Sequence, residues 1–263
     1  MLVERLWPDN RLRNYHYLVA CEQTGEALAV DPLDWQLMRD AAQQRGWTIT
    51  QILNTHHHLD HCAGNGPLKA ATHARILAHA GAASTIGGVD QGLSRGDVVR
   101  VGRTVELECL DTPGHTMSHI CLLAHGDTPA LFSGDTLFNA GAGNCRNGGD
   151  PQALYETFAM QLARLPDATR LYAGHDYLNH NLAFTLDREP GNAAATSLLA
   201  TTQALPALDM PITTLGEEKT FNSFFRLQNP LLIARLRERF ADLPPDPAPC
   251  EVFLRLRELR NSW

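Results

Sequence analysis

The segment Thr55–His61 reads THHHLDH and sets four potential metal ligands, His56, His58, Asp60 and His61, within six positions. In extended backbone, residues two apart project to the same side, so His56 and His58 can converge on one ion. A turn after them can bring Asp60 and His61 to a second ion, while His57 points the other way. A histidine-rich surface loop is the bland alternative, and for a lone histidine it would be preferred. Here it fails. Imidazoles crowded with a carboxylate at one strand end repel when protonated, and cost several kcal/mol to desolvate unless a cation organises them.

Three later positions share this style, each a polar ligand that follows a strand and sits beside glycine: His115 in TPGHT, Asp135 in SGDT and His175 in AGH. With the first cluster they make seven ligands, the number that two ions need. His56, His58 and His115 serve one ion in this reading, Asp60, His61 and His175 the other, and Asp135 bridges. Imidazole and carboxylate without thiolate favour zinc, with iron or manganese also accepted.

The elements that must carry these ligands read as alternating strand and helix. Strands are expected at Tyr15–Cys21 and Ala27–Val30, closed by the turn pair Asp31 and Pro32. Apolar residues at helical spacing from Trp35 to Ala42 end at Gly46, and Ile49–Leu53 then reads as a buried strand running into the histidine cluster. A helix at Leu68–Thr72 follows, then strands at Arg75–Ala78, Val98–Val101, Val105–Leu110, Ile120–Leu123 and Leu131–Ser133. After Pro151 come a helix over Gln152–Arg164, a strand at Arg170–Ala173 and mostly helical sequence. Leu243–Pro249 is a proline-rich connector before a last amphipathic helix.

The 263 residues carry a formal charge of -7 with dispersed basic residues, which argues against a nucleic-acid partner, whereas bound cations would leave room for a small anion. Charges from Glu4 to Arg13 interrupt any signal-peptide core, and no apolar run is long enough to span a membrane, so a cytoplasmic location is expected. The six cysteines lack CxxC spacing and read as free thiols, with Cys62 and Cys145 the two nearest the chemistry. His16, His73, His79, His119, His125 and His180 are assigned surface or core roles.

HxHxDH followed by single His, Asp and His ligands at these intervals resembles the metallo-β-lactamase superfamily. Within it the chain is similar to glyoxalase II, the hydroxyacylglutathione hydrolases. The matching stretches are NYHYLV at 14–19, VDP at 30–32, THHHLDH, TPGHT, SGDTLF at 133–138, GHDYLNHNLAF at 174–184, EPGN at 189–192 and EEKTFNSFFR at 217–226. The resemblance implies an α/β fold, a four-layer αββα sandwich over residues 1–175, followed by a smaller helical substrate-binding domain over 176–263.

It also implies two divalent metal ions and cleavage of S-(2-hydroxyacyl)glutathione, such as S-D-lactoylglutathione, to glutathione and a 2-hydroxy acid by attack of metal-bound hydroxide. Asp60 is then chiefly a ligand and afterwards a proton acceptor. A thiolate leaving group needs little protonation, so no dedicated general acid is sought. For the substrate, Tyr177 and Arg226 match positions with which the family grips the tripeptide. Asn144 stands where the family has Lys or Arg, and Arg146 can restore that cation from two residues away. Gln228 and Asn229 occupy the place of a second basic residue. Competing readings are a lactonase, a hydrolase of another thioester, a mononuclear iron persulfide dioxygenase and a catalytically inert binding module. The protein is expected to act as a monomer on a small-molecule thioester.

Overall fold

The computed structural model describes all residues, Met1–Trp263. In chain order the elements are β1 (Leu2–Leu6), β2 (His16–Ala20), β3 (Glu26–Val30), α1 (Trp35–Gln44), β4 (Thr48–Asn54), α2 (Leu59–Cys62), α3 (Asn65–Thr72), β5 (Arg75–His79) and β6 (Gln91–Leu93). Next are β7 (Val98–Val101), β8 (Val105–Asp111), β9 (Ile120–Ala124), β10 (Ala130–Gly134), β11 (Leu137–Phe138), β12 (Gly141–Ala142), α4 (Pro151–Met160) and β13 (Arg170–Ala173). The remainder is helical: α5 (Leu178–Arg188), α6 (Ala193–Thr202), α7 (Leu215–Phe221), α8 (Pro230–Arg237) and α9 (Pro249–Arg260).

Contacts group the chain into two units. One comprises Met1–Thr112, Ser118–Gly134 and Tyr172–His175, and the other Pro113–Met117, Asp135–Leu171 and Asp176–Trp263.

The first unit holds a six-stranded sheet in the order β1-β2-β3-β4-β5-β6, antiparallel up to β3 and parallel from β3 onward. Alternate residues such as Leu18, Ala29, Ile52 and Ile76 pack against Met38 and Ala42 of α1 and Leu68 of α3. This is the fit expected of an apolar helix stripe on a sheet face. A five-stranded sheet in the order β13-β10-β9-β8-β7 completes it. β9 and β10 are buried along their whole length, which explains their continuous apolar sequence.

The strand ends position the chemistry. Val30 of β3 pairs in register with Leu53 of the parallel β4, so the residues that follow both strands emerge side by side at their C-terminal ends, where open α/β sheets hold ligands. β8 and β10 both run antiparallel to β9, so Thr112 and Asp135 follow strands that leave the sheet at one edge.

The second unit is built from helices. α5, α6 and α7 share a core of Leu178, Leu182, Ala195, Met210 and Phe221. Phe158, Phe224 and Phe253 form an aromatic cluster with centroid separations of 5.1–6.4 Å. Five elements are not anticipated by the sequence: β1, β6, the short helix α2, where a turn is expected, and the two strands of the hairpin β11–β12. The expected helix over Gln152–Arg164 is α4 followed by a separate 3-10 turn at Leu162–Arg164.

Candidate active site

Asp31, the residue after β3, organises the first ligand loop from a left-handed conformation at φ 52. Its Oδ1 accepts the Thr55 N–H at 2.8 Å and its Oδ2 accepts the Thr55 hydroxyl at 2.7 Å. The other end of the loop is closed by Asn54, whose Nδ2 donates to the His61 carbonyl at 2.9 Å, and which exchanges amide bonds with Asn65. Gly134 allows this packing. A Cβ there would stand 2.4 Å from Thr55 Oγ1 and 2.9 Å from His119 Nε2.

The hydrogen bonds around the ring nitrogens assign the tautomers. Thr55 Oγ1 already gives its proton to Asp31, so it accepts from His56 Nδ1 at 3.0 Å, and His56 presents a bare Nε2 to His58 Nδ1, 3.0 Å away. His61 Nδ1 donates to Asp31 Oδ2 at 3.0 Å, and His175 Nδ1 donates to the Leu12 carbonyl at 2.7 Å. The Nε2 atoms of His61 and His175 therefore carry lone pairs, yet they lie 3.2 Å apart, with Asp60 Oδ2 at 3.4 and 3.5 Å from them. These three ligand atoms converge, a donor set that fits a metal ion, and each histidine has the carboxylate or carbonyl support that metal-binding imidazoles use. Asn14 steadies the carboxylate, donating Nδ2 to Asp60 Oδ2 at 3.0 Å.

The second unit repeats the device. His115 Nδ1 donates to the Asn144 carbonyl at 2.6 Å, which leaves Nε2 bare, 3.6 Å from Asp135 Oδ2. Thus Asp60, His61 and His175 form one ligand group, with His56 and His58 beside it in the same unit, and His115 and Asp135 face one another in the other.

Two histidines assigned only surface or core roles support this centre. His119 is buried and stacks its ring on His56 at 5.1 Å. His16 is buried and accepts the Asp34 N–H, and burial, with the nearby His61, pushes its pKa down to about 4, so it stays neutral. No sequence signal separates such residues from ordinary core histidines. Cys62 is half-buried on α2 with its thiol pushed up by burial, and Cys145, pushed up to about 11 by burial, faces a cavity against α9.

The second unit also holds a cavity of about 510 Å3. Asn144, Arg146 and Tyr177 line it, with the Tyr177 ring set edge-on against Phe138 at 5.2 Å. Asn144 contributes differently from a lysine or arginine. Its carbonyl orients His115 and its Oδ1 accepts the Arg146 N–H. The Arg146 guanidinium reaches the Asn261 carbonyl.

Arg226 is not brought to this cavity. Its Nε donates to both oxygens of Glu189 at 2.9 and 3.1 Å, because that carboxylate, only 2% exposed, must have a cationic partner. The tail instead supplies Arg257 and Arg260, three apart on α9 and so on one helix face. Arg257 Nη1 donates to the carbonyls of Ala142 and Gly143, and burial pushes its pKa down to about 9. These two arginines were missed because LRELR reads equally well as a solvated face.

Comparison with known proteins places these features in a family. The model of the metallo-beta-lactamase superfamily matches residues 12–175, and that of the hydroxyacylglutathione hydrolase C-terminus matches residues 176–263. A hydroxyacylglutathione hydrolase of Polaromonas sp. is 60% identical over all of both chains. The chain belongs to the hydroxyacylglutathione hydrolase family of the metallo-beta-lactamase superfamily. Another hydroxyacylglutathione hydrolase, from Nitrosococcus oceani, is 57% identical over all of both chains. Among solved structures, ETHE1 from Myxococcus xanthus matches with a TM-score of 0.70 and 26% identity, over 99% of this chain and 92% of that one. The expected metallo-β-lactamase fold with a helical C-terminal part is therefore the fold of this family member.

Proposed function

We propose that this hydroxyacylglutathione hydrolase family member hydrolyses S-(2-hydroxyacyl)glutathione, such as S-D-lactoylglutathione, to glutathione and a 2-hydroxy acid. The observation that carries the substrate half is the cavity that gathers Arg146, Arg257 and Arg260 beside Tyr177. Glutathione presents two carboxylates and one ammonium, and guanidinium groups are the side chains best shaped to grip carboxylates with paired donors. The names of the Polaromonas and Nitrosococcus relatives support the same substrate.

The catalytic half of the proposal uses two divalent metal ions, zinc first, with iron or manganese as alternatives. His56, His58 and His115 would hold one, Asp60, His61 and His175 the other, with Asp135 shared. Ions bound there would lower the pKa of water and polarise the thioester carbonyl. The chain's own contribution is preorganisation. Asp31, Thr55 and the carbonyls of Leu12 and Asn144 hold protons on the outer ring nitrogens, so the inner ones stay available as lone pairs. Asp60, aligned by Asn14, is the carboxylate positioned to accept a proton after the attack. The thiolate departs without a general acid, because thiols have a pKa of about 8.5.

No helix is long and apolar enough to cross a membrane. A cytoplasmic monomer acting on a small anionic thioester, with a division of labour at residues 175 and 176, completes the proposal.

The test pairs elemental analysis of the purified protein with thiol release from S-D-lactoylglutathione and ring opening of an acyl lactone. The expected result is about two divalent ions per chain and thioester turnover that His58→Ala abolishes. Metal-free protein, or a lactone turned over while the thioester is not, would reject the reading.

A further inference from the structure

Glu218 lies on α7, fully buried, and its carboxylate accepts three hydrogen bonds. Oε2 accepts the Ala140 N–H at 2.8 Å and Asn222 Nδ2 at 3.0 Å, and Oε1 accepts the Thr213 hydroxyl at 2.6 Å. Each partner bears on the hairpin β11–β12. Ala140 is its turn residue, Asn222 Nδ2 also donates to the Gly141 carbonyl at 3.2 Å, and Thr213 Oγ1 accepts Asn139 Nδ2 at 2.7 Å.

The hairpin needs holding. Ala140 sits at φ 58, a left-handed conformation that costs free energy for any residue with a Cβ. Gly141 is pressed so closely on α5 that a Cβ would meet Asn181 Nδ2 at 2.5 Å. Two-residue strands have little pairing energy with which to offset this strain.

What the hairpin fixes reaches into the cavity. The Asn139 carbonyl accepts Asn181 Nδ2 at 2.9 Å. With its amide nitrogen so committed, Asn181 must turn Oδ1 the other way, and that oxygen accepts Arg260 Nη2 at 3.1 Å. Phe138 of β11 and Ala142 of β12 are themselves cavity walls.

We propose that Glu218 is a positioning residue for the substrate pocket: it fixes the β11–β12 hairpin and, through Asn139 and Asn181, aims the Arg260 guanidinium. This rests on the reading that the cavity receives glutathione. Burial pushes the Glu218 carboxyl up to about 7, and its three donors act against that rise.

The test measures kcat and KM with S-D-lactoylglutathione and Kd for S-methylglutathione by calorimetry, all on metal-loaded protein. The variants are Glu218→Ala, Glu218→Gln, Thr213→Val and Arg260→Ala. Because Arg260 would lose its aim while the metal ligands stay in place, Glu218→Ala should raise KM and Kd roughly tenfold and change kcat by less than about threefold. Glu218→Gln, which keeps an oxygen for the Ala140 N–H, should recover most of that loss. Thr213→Val severs one link with little change of shape, and its smaller rise in KM tests the proposal even if Glu218→Ala fails to fold. An Arg260→Ala effect on KM, with folded Glu218→Ala and Thr213→Val unchanged in KM and Kd, would make Glu218 a folding residue only. If Arg260→Ala itself changed neither constant, the pocket reading would fall and the proposal with it.

Discussion

His61 and His175 turn their Nε2 atoms toward one another at 3.2 Å while their Nδ1 protons are committed to Asp31 and to the Leu12 carbonyl. With the outer nitrogens so engaged, both inner nitrogens are turned to the same side as lone pairs, the arrangement that metal-binding imidazoles use.

Asp31→Asn should therefore weaken metal binding without removing any ligand. An asparagine that accepts the Thr55 N–H with its oxygen presents an NH2 group to His61 Nδ1, which reverses the tautomer and blocks Nε2. Losses of about 10–100-fold in metal affinity are typical when such a supporting carboxylate is removed. Competition with a chromophoric chelator measures it, and an unchanged affinity would mean that Asp31 does not set the tautomer.

Arg226→Ala should leave KM for the thioester unchanged and lower stability. Glu189 would keep Asn229 Nδ2, 2.6 Å away, and lose its guanidinium. Stripping a charged partner from a buried carboxylate costs about 1–3 kcal/mol, visible as a fall of several degrees in Tm. A raised KM with an unchanged Tm would instead put Arg226 against substrate.

Glu218 should make stability depend on pH. Its folded pKa, about 7, lies above the ordinary value of 4.5, so the folded state holds the proton more tightly than the unfolded chain. Its contribution is then fully present below about 4.5, declines as pH rises, and is lost above about 7. Glu218→Gln cannot titrate. Relative to this variant, the native protein should lose Tm between roughly pH 5 and pH 8, and a constant Tm difference across that interval would contradict the shift.

The convergence of histidines and aspartates was legible because their residue types are costly to cluster without a cation, and β4 announced itself by Ile49–Leu53 running into the histidine cluster. β3, β9 and β10 were legible for a similar reason, being buried along most or all of their length. The hairpin β11–β12 was not, since Leu137–Ala142 has no strand signal of its own and is held by Glu218, some eighty residues later in the chain. Arg226 and Arg257 show the complementary limit. Which arginine neutralises a buried glutamate and which lines a cavity depends on Glu189 and on the carbonyls of Ala142 and Gly143, partners that spacing along the chain does not reveal.

Arg257 ties α9 to carbonyls 115 and 114 residues earlier in the sequence. During synthesis the loop that bears those carbonyls emerges long before the helix that anchors it, and contacts of such wide separation form slowly because closing the intervening chain is entropically costly. The first unit's histidine cluster can assemble from earlier residues, while the basic wall waits for the last helix. A chain not yet extended to α9 would thus carry the histidine cluster without the arginines that line the second unit's cavity.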